Sequence, residues 1–132
     1  MSKIINFSEA ASIAIHGMIL IAKAEGKISV IQIAERTGSS KHHVAKIMQR
    51  LVKENYLTSN RGPLGGFVLK KLPEEISLLE IFEAIEGKIE IQKCLADNLI
   101  CTFDSCIMNN IATETSQKFI DFFQSKTLKN YL

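Results

Sequence analysis

Residues 39–71 read SSKHHVAKIMQRLVKENYLTSNRGPLGGFVLKK, and the spacing of their apolar positions decides the fold. Val44, Ile47, Met48, Leu51 and Val52 recur at intervals that gather them on one face of an α-helix. The opposite face carries Lys41, His42, Lys46, Gln49 and Lys53, with small Ala45 among them, so it offers cations and hydrogen-bond donors but no acid. Two short strands are predicted next, over residues 56–59 and 66–69, around the turn NRGPLGG, which is rich in glycine and carries an arginine. A helix with a basic face followed by a basic hairpin is the pattern of a winged helix-turn-helix. In that arrangement the helix enters the major groove of a double-stranded DNA operator and the hairpin lies over neighbouring backbone.

Charge is distributed to match. The whole chain of 132 residues has a net charge of only +2. Residues 35–71 alone hold eight Lys and Arg against two acids, a local net of +6, which leaves −4 for the remainder. Such concentration is the electrostatic footprint of a nucleic-acid binder. A solvated helix face that is merely basic gives the same count, so the spacing of the apolar residues and the hairpin must carry the reading.

Outward from this stretch, Ser8 is a predicted N-cap for a first helix reaching about residue 24, apolar on most sides. Ser29 and Gln32 have the spacing of a capping box, with Ile28 and Ile33 as its hydrophobic staple, and Gly38 stops the second helix. Thr37, Gly38 and Ser39 then form the short turn that precedes the basic helix. Gly62, Gly65 and Gly66 are expected to take positive φ in the hairpin turn and to admit a phosphate close to the backbone. Arg61, at the tip, is the residue expected in the minor groove or on a phosphate. Ser77 and Glu80 repeat the capping-box pattern, with Ile76 and Ile81 as staple, for a helix over 78–86 stopped by Gly87. Residues 88–93 fit either a linker or a short strand. Ile107, Ile111, Phe119, Phe122 and Phe123 mark the apolar side of a last helix ending near residue 124. So small a domain has little chain left to cover that side, so it is expected to pack against a second copy and the first helix, making a homodimer. The alternative is that it folds back on its own domain.

The N-terminus is broken by an acid and a histidine and does not read as a signal peptide, and the longest uncharged run, residues 10–22, is too short to span a bilayer. A cytoplasmic protein without a membrane partner is expected. Three cysteines, Cys94, Cys101 and Cys106, all fall within one short segment. An odd number of thiols in a reducing compartment points to thiol or metal chemistry rather than disulfides. Their spacing lacks the close pairs of structural zinc sites. Three thiolates in a looping segment suit an iron–sulfur cluster whose remaining ligand is not cysteine, two-iron (2Fe–2S) or four-iron (4Fe–4S). No residue beside a cysteine completes a nucleophile-activating motif and no glycine-rich nucleotide loop follows a strand, so an enzyme is not expected.

The wing SNRGPLGGFVL resembles that of the IscR/NsrR-type winged-helix transcription regulators, which carry an RG-x-x-GG-[aromatic]-x-L pattern there. The resemblance extends to IAERTGSSKHHVAKIMQRL, ISLLEIFEAIEG, the three-cysteine segment and the closing SKTLKNYL. HHVAKI is closer to the nitric-oxide-sensing NsrR branch, and Ala45-Lys46 replaces the Glu-Gln of the IscR branch. The resemblance implies a mainly α fold with a small β wing: a winged helix-turn-helix over residues 1–87, a cysteine-containing cluster loop over 88–106, and a dimerisation helix with its tail over 107–132. It implies a homodimeric repressor that reads its operator with Ser39, Ser40, Lys41, His42, His43, Lys46, Gln49, Arg50, Lys53, Arg61, Gly62 and Gly65. It also implies a cluster held by Cys94, Cys101 and Cys106 that senses nitric oxide, redox or iron–sulfur status. The histidine that the IscR branch places three residues after the third cysteine is here Asn109. The acid that the NsrR branch supplies from the second subunit aligns with Glu9, whose plain reading is a carboxylate complementing a helix dipole; His16 is the next candidate. The main competing reading is a cluster-free DNA binder with a thiol switch, and a thiol redox enzyme stands behind it.

Overall fold

A computed structural model describes residues 1–96 and 100–132. Among the described residues, five helices and one hairpin follow in the order α1 (Glu9–Lys23), α2 (Val30–Thr37), α3 (Lys41–Lys53), β1 (Leu57–Asn60), β2 (Gly66–Leu69), α4 (Leu78–Glu86) and α5 (Ile111–Ser125). Short 3-10 turns occupy Pro73–Glu75 and Leu128–Tyr131.

Local chemistry sets the helix starts. Ser8 Oγ accepts from Ala11 N–H at 3.0 Å. Ser29 and Gln32 exchange hydrogen bonds of 3.2 and 2.9 Å, and Ser77 and Glu80 exchange bonds of 3.1 and 2.8 Å, so both predicted capping boxes are formed. Their staples are in place, with Ile28, Ile33, Ile76 and Ile81 all buried. Gly38 ends α2 at φ 66°, in the left-handed region that spares glycine a Cβ clash. The helix-turn-helix turn sits one residue later than expected. Thr37 stays helical, its hydroxyl donating to Ile33 O at 2.8 Å, and Ser40 becomes the N-cap of α3 by accepting from His43 N–H at 3.1 Å.

One core joins the elements. α1 is buried on several sides (Ala11, Ile13, Ala14, Ile15, Met18, Ile21), as expected for a helix lying among others. α3 buries Val44, Ile47, Met48 and Leu51 against it, and α4 adds Leu78 and Ile81. The antiparallel hairpin pairs Leu57 with Leu69 and Asn60 with Gly66, one residue beyond the expected span of its first strand. It is pinned to the segment before α2: Phe67 N–H donates to Ile28 O at 2.8 Å and Ile28 N–H to Phe67 O at 3.3 Å. The C-terminal tail returns to α4, where Leu128 N–H donates to Ile76 O at 3.0 Å and Leu128 is buried. Residues 88–94 form neither helix nor strand, so residues 88–93 are a linker rather than a short strand.

Two expectations are corrected. Only Gly62 of the three wing glycines has positive φ, at 102°; Gly65 and Gly66 are required instead by close approach. A Cβ on Gly65 would strike Asn60 O, and one on Gly66 would stand 2.7 Å from Ile28 O. The last helix also starts later than its apolar residues do, at Ile111, because Asn109 and Asn110 adopt φ 55° and 57°. Phe119 and Phe123, stacked with centroids 4.2 Å apart, pack against Phe7 and Phe82 of the same chain. So α5 rests on α4 and on the residue leading into α1. Ile111 and Phe122 are exposed apolar residues of α5, and Ile107 and Met108 are exposed in the turn before it.

The Gly66 contact is backbone against backbone, with no flexible side-chain end to yield. Gly66→Ala is expected to destabilise the fold by about 1–3 kcal/mol, in the range of overpacking, read as a lower urea midpoint. An unchanged midpoint would mean that β2 is free to shift away from residue 28.

Candidate nucleic-acid interface and cysteine site

Turning its apolar stripe inward leaves α3 with a single outward face. Lys41, His42, Lys46, Gln49, Arg50 and Lys53 are exposed on it, and Ser39, Ser40 and His43 stand at its N-terminal end. Lys46, Gln49, Arg50 and Lys53 border one shallow groove, in which Glu54 is the only acid. The wing tip, with Arg61 and Gly62 exposed and Gly65 half-buried, projects beyond β1 and β2. At the wing root, Lys71 Nζ lies 4.8 Å from the centre of the Tyr56 ring, and Lys70 Nζ donates to Asn55 Oδ1 at 3.2 Å. Burial, followed by nearby Glu80, Glu54 and Glu83, holds the Tyr56 phenol above its usual pKa, so it stays neutral.

Two members of this set have partners that the sequence did not disclose. Arg50 Nε–H donates to Ala84 O in α4 at 3.1 Å, so Arg50 holds α3 on α4 as well as adding charge. His43 Nδ1 lies 3.7 Å from Glu9 Oε1, an ion pair when the imidazole is protonated, which links the reading helix to the first turn of α1. Neither contact has a signature in spacing, because each partner lies more than thirty residues away in the chain.

The cysteines form a second site. Cys94 is half-buried, Cys101 and Cys106 are exposed, and all three line one cavity of about 120 Å³. Its walls are mostly apolar, including Leu95, Ile100, Phe103, Ile107, Met108 and Ile111. Asn110 N–H donates to Cys106 Sγ at 3.4 Å. The approach to Cys94 hangs on α5: Gln92 N–H donates to Ser116 Oγ at 3.2 Å, Thr113 Oγ1 donates to Gln92 O at 3.4 Å, and Gln92 Nε2 donates to Cys94 O at 3.0 Å. Gln92 was not singled out from the sequence, and nothing in its neighbourhood there marks it.

Three soft sulfur donors in an apolar wall fit an iron–sulfur group in their chemistry. Among the described residues, however, no three His, Cys, Asp or Glu side chains are grouped as ligands of one metal ion. Neither Glu9 nor His16 lines the cysteine cavity. Both border a separate groove with Ser12, Lys23, Arg36 and Ser39, and the structure brings neither to the thiols of its own chain. His16 Nδ1–H donates to Ser12 O at 2.7 Å, and its Nε2 makes no hydrogen bond among the described residues.

The double role of Arg50 can be separated from charge alone. Arg50→Ala is expected to lower the thermal midpoint by a few degrees, the effect of losing about 1 kcal/mol, whereas Lys46→Ala leaves it unchanged. An Arg50 variant that melts like the wild type would leave Arg50 with charge alone.

Comparison with known proteins agrees with this geometry. The sequence model of the Rrf2 family, described as an iron-dependent transcriptional regulator, matches residues 7–132. The HTH-type transcriptional regulator IscR of Pectobacterium atrosepticum is 27% identical over 110 residues, 83% of this chain and 67% of that protein. The structure of CymR (YrzC), the global cysteine regulator of B. subtilis, superposes with a TM-score of 0.77 at 23% identity, over 96% of this chain and 95% of that one. T. potens IscR superposes with a TM-score of 0.74 at 23% identity, over 96% and 85%. No helix among the described residues is long and apolar enough to cross a membrane. The chain belongs to the Rrf2 family, and is a DNA-binding transcriptional regulator rather than an enzyme.

Proposed function

We propose that this regulator is a homodimeric, cytoplasmic repressor whose operator affinity depends on an iron–sulfur cluster. The observation that carries the reading is the acid-free outer face of α3 beside a basic wing, in one chain with three thiols on one apolar cavity. Lys41, His42, His43, Lys46 and Gln49 would face base edges, while Ser39, Ser40, Arg50, Lys53, Arg61, Gly62 and Gly65 would lie along phosphates and groove walls. Two-fold operators match a dimer, and the exposed side of α5, with Ile111 and Phe122, is the face we assign to the second copy.

Cys94, Cys101 and Cys106 would hold the cluster, with Glu9 of the second copy as its remaining ligand and His16 as the alternative. The cluster would supply an iron site that reacts with nitric oxide or oxygen and is lost when iron is scarce. HHVAKI supports placing the chain on the nitric-oxide-sensing branch.

What the chain itself contributes is a packed route between the two sites. Gln92 fastens the approach to Cys94 onto Thr113 and Ser116 of α5. α5 rests on α4 through Phe119 and Phe82, and α4 is tied to α3 by Arg50. Order in the cysteine segment therefore bears on where the two reading helices of a dimer stand, and a reader of paired half-sites loses affinity when their spacing drifts.

A second reading, a thiol switch without a cluster, is favoured by the exposure of Cys101 and Cys106 on the same cavity as Cys94. Anaerobically purified protein, assayed for iron and sulfide and titrated with operator DNA at one salt concentration, separates the two. The cluster-bound form is expected to bind more tightly, and serine at any of the three cysteine positions to abolish both visible absorbance and tight binding. Glu9→Ala should leave a weaker, more labile cluster. Equal affinity with and without iron would end the cluster reading, and affinity that follows disulfide content instead would establish the thiol switch.

A further inference from the structure

The wing tip carries an apolar residue that the fold does not use. Leu64 is 86% exposed, while Leu57 and Phe67 of the same hairpin are buried at 1% and 3%. Single exposed leucines are common and mean nothing alone. This one sits on a tip whose shape is fixed at both ends. Gly62 takes φ 102°, Pro63 follows with its ring-locked φ, and Gly65 N–H donates back to Gly62 O at 2.8 Å. Gly65 is wedged against Asn60 O, where no Cβ fits. The hairpin in turn is pinned to residue 28 through Phe67, so the tip is held at a set place relative to α2 and α3. Leu64 therefore cannot fold back onto the core, and it is presented outward in company with exposed Arg61 and no acid between residues 55 and 73.

A rigid apolar side chain next to a lone cation fits a surface that is anionic at its rim and apolar within. The minor groove of DNA has that character: phosphates line its edges, sugars form its walls, and leucine is among the side chains that minor-groove binders insert there. Resting on the DNA-reading assignment above, we propose that Leu64 is a second minor-groove contact of the wing, which packs against groove walls while Arg61 supplies the charge. The two residues then divide the work. Arg61 contributes a salt-dependent term through counterion release, and Leu64 contributes a salt-independent one that depends on an unobstructed groove floor.

The test uses the full chain and a duplex enriched by the wild type from a random-sequence pool, with affinity measured across a salt series. Leu64→Ser is expected to weaken binding about tenfold with an unchanged salt slope, and Leu64→Met to stay within about twofold of wild type. Arg61→Ala is expected to weaken binding and reduce the salt slope by about one. Replacing A·T by G·C pairs under the wing, which puts guanine amino groups on the groove floor, should erase the difference between Leu64→Ser and wild type. Matching circular-dichroism melts show that the variants are folded, and the methionine variant keeps the test valid if serine disturbs the turn. If Leu64→Ser binds as tightly as wild type while Arg61→Ala is weakened, the Leu64 contact is overturned and DNA reading stands. If the wild type enriches no duplex, the DNA-reading assignment falls and the proposal with it.

Discussion

The close approach of Met48 to Gly17 is the contact on which the rest of the structure depends. A Cβ added at Gly17 would lie 2.7 Å from Met48 Cε and 3.7 Å from Ile33 Cγ2, so the side chains of Met48 and Ile33 fill the space that Gly17 leaves where α1, α2 and α3 meet. Met48, Ile33 and Met18 are fully buried there. Because Met48 sits in the middle of the apolar stripe of α3, seating it fixes the rotation of that helix about its axis. Everything polar on α3 is then forced to the outside. The basic face is thus a consequence of core packing, and no separate device is needed to aim it.

The same packing limits how the cysteine segment can influence DNA reading. α3 is held from below by α1 and from the side by α4, through Arg50 and Ala84 O. α4 carries Phe82, one of four phenylalanines that also include Phe7, Phe119 and Phe123. α5 brings the last two and anchors Gln92 beside Cys94. Aromatic edges and backbone carbonyls of this kind transmit displacement because they have few alternative seats. The route is one of physical contiguity, and it becomes coupling only if both ends favour the same arrangement of the helices.

Much of this was legible in residues 8–87. Capping boxes are local chemistry, so Ser29 with Gln32 and Ser77 with Glu80 announced two helix starts correctly. The stripe of α3 was legible because its period is set by the helix itself. What stayed hidden is nonlocal. Periodicity showed that Phe119 and Phe123 were apolar, but not that Phe7 and Phe82 of the same chain would cover them. The start of α5 was missed because left-handed Asn109 and Asn110 interrupt an apolar pattern that runs on past them. The three cysteines lie close together in the sequence, and the structure adds the shared apolar cavity. Arg50 and His43 were expected to contact DNA, and their ties to Ala84 and Glu9 had no trace in spacing.

On the proposed function, the face opposite Met48 would lie in the major groove, once in each half of a two-fold complex. Guanine N7 methylation places a methyl group in the major groove and leaves the minor groove untouched. Methylation interference on a duplex selected by the wild-type protein therefore reports on that placement. Two clusters of interfering guanines are expected, with centres about one helical turn, roughly 10 base pairs, apart, or a multiple of it. Interference confined to adenine N3 in the minor groove, with none at guanine N7 in a guanine-containing half-site, would contradict it.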